Sequence, residues 1–93
     1  MNKQEVKAKA EQKIDEVSAK LNEFKAKKES AKAESKEKYE ELIAKLENQR
    51  QEMKSKYNQM KDGAEDQWKE VSDSFNKASE SFKEGAKELA SIF

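Results

Sequence analysis

Large apolar residues return along this chain at helical spacing, and the whole pattern repeats every 18 residues. Cut at Glu5, Glu23, Glu41, Gln59 and Lys77, five copies align without gaps, the last one residue short. The second position of the copies reads Val6, Phe24, Leu42, Met60, Ala78, and the seventeenth reads Leu21, Tyr39, Tyr57, Phe75, Phe93. The twelfth is Glu16, Glu34, Glu52, Glu70, Glu88. Apolar residues favour positions two, six, ten, thirteen and seventeen, which fall within an arc of about 80° on a helix. The stripe runs Val6, Ala10, Ile14, Val17, Leu21 in the first copy and Phe24, Lys28, Lys32, Ser35, Tyr39 in the second, its weakest stretch. It continues as Leu42, Leu46, Arg50, Met53, Tyr57, then Met60, Ala64, Trp68, Val71, Phe75, then Ala78, Phe82, Ala86, Leu89, Phe93.

Five helical turns hold about 18 residues. A seven-residue repeat winds a stripe left-handed and an eleven-residue repeat winds it right-handed. Their sum keeps it straight. The pattern therefore predicts an all-α chain: one long, nearly straight amphipathic helix, about 140 Å if unbroken, packed in a coiled-coil-like bundle. The candidate interface residues are Leu21, Leu42, Leu46, Met53, Tyr57, Met60, Trp68, Val71, Phe75, Phe82 and Leu89.

Asp62-Gly63-Ala64-Glu65 invites a break. It has an N-cap residue with a Glu three positions later, the spacing of a capping box, and Gly weakens a helix interior. The stripe nevertheless stays in phase across it, through Met60, Ala64 and Trp68. In-phase continuation favours the unbroken rod; the alternative is a two-helix hairpin with its turn near Asp62-Gly63. Gly85 has no expected role beyond close packing.

Composition supports helix. Pro is absent, Gly occurs twice, and charged residues make up 43% against 33% hydrophobic, with a mean hydropathy of −1.30. So polar a chain could be disordered, but disordered tracts do not hold large apolar residues in phase over five copies. Residues 1–93 read as a single helical coiled-coil domain. Glu precedes Lys by four residues at Glu5–Lys9, Glu16–Lys20, Glu23–Lys27, Glu34–Lys38, Glu41–Lys45 and Glu52–Lys56. That order supports a helix by about 0.2–0.5 kcal/mol per pair.

Charge and chemistry exclude whole classes. Without Cys there is no disulfide or thiolate chemistry, and without His the commonest general base and metal ligand are missing. Paired carboxylates such as Glu40-Glu41 and Glu65-Asp66 would sit on an exposed helix with no pocket to raise a pKa. No catalytic residues, cofactor or metal site are expected. Met1–Lys61 carries 16 Lys+Arg and 12 Asp+Glu, net +4, and Asp62–Phe93 carries 4 and 8, net −4. This asymmetry is either drift on a solvated face or a device that pairs neighbouring helices antiparallel. Zero net charge, with acid interleaved throughout, argues against nucleic acid. Met1 to Lys13 has no apolar run, so neither a secretory signal nor a membrane span is read there, and a cytoplasmic location is expected.

Ala31–Leu42 (AKAESKEKYEEL), Ala44–Glu47 (AKLE), Gly63–Val71 (GAEDQWKEV) and the aromatic block Ser74–Lys83 resemble a group of small bacterial coiled-coil proteins. That group, known from cyanobacteria and other bacteria, bears the stress-response designation. The resemblance implies a Lys/Glu/Ala-rich helical protein without enzyme activity. The expected function is non-enzymatic and structural or stress-related, through helix–helix self-association. A lone helix would leave its stripe in water, so a homo-oligomer is expected. The alternatives are a peripheral protein lying on a membrane surface and an adaptor for a partner helix. Trp68, Phe75, Phe82 and Phe93 motivate the former.

Overall fold

The computed structural model describes residues 3–62 and 65–92. Among these residues the chain forms α1 (Lys3–Glu29), α2 (Ala33–Asp62) and α3 (Glu65–Ile92), with no strand. The all-α expectation holds. The unbroken rod does not: the molecule measures 49 × 18 × 16 Å. A helix of 30 residues is about 45 Å long, so the three must lie side by side. Contacts between α1 and α2 pair Glu11 with Tyr57, Lys25 with Glu47 and Lys28 with Glu40. Falling numbers on one helix meet rising numbers on the other, so the pair is antiparallel. Gly85 on α3 faces Leu46 on α2, consistent with a second antiparallel pair.

The first reversal lies at Ser30, Ala31 and Lys32, inside the weak second copy. There the stripe offers Lys28, Lys32 and Ser35, so a continuous helix would gain little burial, while solvated residues suit a turn. The last carbonyls of α1 are satisfied locally. Ser30 N–H donates to the Lys27 carbonyl (3.2 Å) and Ala31 N–H to that of Lys28 (3.0 Å). The Lys32 carbonyl accepts from Ser35 N–H (2.9 Å) and Lys36 N–H (3.0 Å), which places Lys32 at the N-cap of α2. The second reversal falls between Asp62 and Glu65, where the alternative hairpin had its turn. Gly63, Ala64 and Phe93 lie outside the described residues, as does the side chain of Glu65 on which the capping box depends.

The core is the stripe folded back on itself. Leu21, Phe24, Leu46, Met53, Met60 and Leu89 are fully buried, joined by Ala10, Val17, Tyr39, Leu42, Phe75, Ala78 and Phe82. Each large side chain contributes about 1.5–3 kcal/mol by leaving water. Ile43 is also buried, although it lies at the third position of its copy, outside the stripe. The helix α2 touches both neighbours and therefore needs a wider apolar arc than a two-helix seam would.

Candidate functional site

The expected interface residues do come together, but within one chain. Leu21, Leu42, Leu46, Met53, Met60, Phe75, Phe82 and Leu89 are buried, and Tyr57, Trp68 and Val71 are half-buried against the same core. The seam between α1 and α3 is the least closely joined of the three. Packing is most extensive between α2 and α3 and sparsest between α1 and α3. Ala10 and Val6 face Met60 and Phe75 across a groove of about 180 Å³. Val17 faces Phe82 and Ala86 across another of about 210 Å³. Between the grooves the Lys13 ammonium donates to Asn76 Oδ1 at 3.4 Å. The residues paired across this seam rise together in number, so α1 and α3 run parallel. By sequence α1 carries eight Lys against six Asp or Glu, net +2, and α3 four against seven, net −3.

The α2–α3 pair is closer. A Cβ at Gly85 would lie 2.7 Å from Leu46 Cδ2, so the missing side chain leaves room for the Leu46 methyl. Gln49 Oε1 and Arg50 Nε are buried without a hydrogen-bond partner among the described residues.

Polar contacts hold α1 to α2. Tyr57 donates its hydroxyl to Glu11 Oε1 at 2.5 Å, which pushes the phenol above its ordinary pKa. Lys25 and Glu47 pair at 2.5 Å, and that hydrogen bond holds the Glu47 carboxyl below its ordinary value. Within α1, Glu23 is lowered chiefly by the charge of Lys20 and also meets Lys27 at 3.5 Å, closing one of the expected four-residue pairs. Lys20 also stands 5.4 Å from the centre of the Phe24 ring. Eight cationic side chains are half-buried, all on α1 and α2, Lys7, Lys25, Lys36 and Lys56 among them. Of the described carboxylates Glu47 alone is half-buried; the others, Glu40 and Glu41 included, are exposed.

Sequence reasoning missed Ile43, the cross-helix pairs and the α1–α3 grooves. Only Ile43 carried a signal, as a large apolar residue beside the stripe. Among the described residues no group of three or more acidic side chains is placed to hold a metal ion, and no helix is long and apolar enough to cross a membrane. Comparison with protein-family models, curated proteins and solved structures found no match, which leaves the helices themselves to indicate what the chain does.

Proposed function

We propose that this chain is a non-enzymatic helix-interaction protein, of the stress-response type its sequence resembles, that self-associates by exchanging α1 between copies. The observation that carries this reading is the thinly filled α1–α3 seam, with Ala10 and Val6 set against Met60 and Phe75. All three helices bear the same stripe in the same phase. The α1 of a second copy therefore meets the α2–α3 pair as well as the chain's own α1 does. Exchange creates little new contact, so it competes with the intramolecular helix and is favoured by high concentration. The folded monomer already covers most of its stripe, so a monomer at micromolar concentration is expected.

Sedimentation equilibrium from about 10 µM to 1 mM, spanning weak to moderate affinities, tests this. A monomer that gives way to a dimer, with scattering showing a longer particle, is the expected result. A chain that stays monomeric and about 49 Å long throughout ends the exchange reading.

A further inference from the structure

On α1 and α2 the charges are sorted by their distance from the stripe. Taking the stripe's centre as origin and a rotation of about 100° per residue, all 16 Lys and Arg of residues 3–62 lie within about 100° of it. Lys7, Lys25 and Lys61 fall near 60° on one side, and Lys20, Lys38 and Lys56 near 80° on the other, by the same rotation of about 100° per residue. All 13 Asp and Glu of these residues lie at about 100° or beyond. The helix α3 is not sorted this way: Lys69, Lys77 and Lys87 stand on its far side. Burial agrees, since the half-buried cations lie on α1 and α2 and nearly every described carboxylate points outward.

In the closed bundle the cationic borders of the stripe lie along the helix junctions. There α1 and α2 set two such borders against each other, and the pairs Lys25–Glu47 and Lys28–Glu40 relieve this at one end. The arrangement suits a surface that is apolar within and anionic at its rim. Lysine stems then lie over the acyl boundary while their ammonium groups reach phosphates. Carboxylates on the outer arc remain in water.

The connection between α1 and α2 permits the change of shape. Ser30, Ala31 and Lys32 include neither Gly nor Pro, no described residue has a left-handed backbone, and the turn's hydrogen bonds already span three or four residues as in a helix. A turn places no demand on helical phase, yet the stripe holds phase through it from Phe24 to Tyr39. With α1 and α2 collinear, Phe24 and Tyr39 would share one face. The sparse α1–α3 packing makes α1 the helix most easily released.

We propose that the bundle opens, first along the α1–α3 seam and then between α2 and α3, that α1 and α2 join into one straight helix, and that its lysine-bordered stripe lies on a phospholipid surface. The proposal shares the release of α1 with the reading above but needs no second copy.

The chain contains no Cys, so Lys13→Cys with Asn76→Cys allows α1 to be bridged to α3 by a cleavable bismaleimide. Flotation with vesicles of phosphatidylcholine, with and without phosphatidylglycerol, reads binding, and circular dichroism checks that the variant is helical. The bridged protein should stay in solution. The cleaved protein and wild type should float, more strongly with the anionic lipid. If bridged and cleaved forms float alike, or neither wild type nor cleaved protein floats with either vesicle, the proposal is overturned. Lys7→Gln, Lys36→Gln and Lys56→Gln together should weaken binding to anionic vesicles by about 100-fold, about fivefold for each charge lost near the surface. Unchanged affinity of that helical variant removes the lysine border from the account. A chain that floats yet never dimerises in solution ends the exchange reading alone; one that dimerises without floating ends this one alone.

Discussion

Gly85→Ala sets two effects against each other, and the structure decides between them. On an exposed helix the change would stabilise by about 1 kcal/mol through backbone propensity. Here the new Cβ would meet Leu46 Cδ2 at 2.7 Å, with Leu46 Cγ at 3.8 Å and Gln49 Oε1 at 3.7 Å. Carbon atoms in good contact are about 3.5–4.0 Å apart, so the Leu46 methyl must retreat by roughly 1 Å. Leu46 is only 1% exposed and lines neither α1–α3 groove, so it has little room to give. Overpacking of this kind costs about 1–3 kcal/mol. Subtracting the propensity gain leaves a net loss of about 1 kcal/mol, which lowers the melting temperature of a chain this size by about 4–8 °C. Urea and thermal unfolding followed by circular dichroism measure it. In a Leu46→Val background the offending methyl is gone, and Gly85→Ala should become stabilising. A coupling of about 1 kcal/mol or more between the two sites is expected for residues in contact. If Gly85→Ala alone raises stability by the full propensity gain, the close approach of α2 and α3 at this point is wrong.

Phe75→Ala should cost about 3–5 kcal/mol, since Phe75 is 2% exposed; equal melting temperatures for variant and wild type would remove the aromatic stripe from the core. Lys32→Asp should stabilise by about 1 kcal/mol, because Lys32 occupies the N-cap of α2 without an oxygen to accept from the first free N–H groups. It should also weaken vesicle binding by fixing the turn, and an unstable Lys32→Asp protein would contradict the cap. Glu47 has a lowered folded pKa, so its contribution is present above the ordinary carboxylate value and fades as pH falls through the lowered one. Because the pair is more than a third exposed, the effect should be below about 1 kcal/mol; Lys25→Gln should flatten that part of an acid titration of stability, and an unchanged titration would deny the pair any role. Tyr57 works in the opposite sense: its raised pKa makes the hydroxyl's contribution complete below the ordinary phenol value and lost as pH rises through the folded one. Tyr57→Phe should therefore lose part of the alkaline fall in stability, as measured by unfolding at increasing pH.

Helix, stripe and the core apart from Ile43 were written in the sequence because each depends on local periodicity. Spacing of apolar residues at three and four selects a helical face wherever that face ends up, so Leu21, Leu46, Met53 and Phe82 were marked for burial before any partner was known. The partner was a different matter. A stripe in unbroken phase is equally satisfied by a second chain or by its own continuation folded back, since burial is non-directional. Only the three-dimensional arrangement chose the latter, through a turn at Ser30–Lys32 where the polar residues Lys28, Lys32 and Ser35 had weakened the stripe. That weakness was visible, but a gap in a seam and a turn look alike until the helices on either side are seen to pack. The α1–α3 grooves, the Gly85–Leu46 approach and the ties of Glu11 to Tyr57 and Lys25 to Glu47 join residues far apart in the chain. Such contacts depend on the relative placement of whole helices, which local periodicity does not specify, and tertiary packing alone decides them.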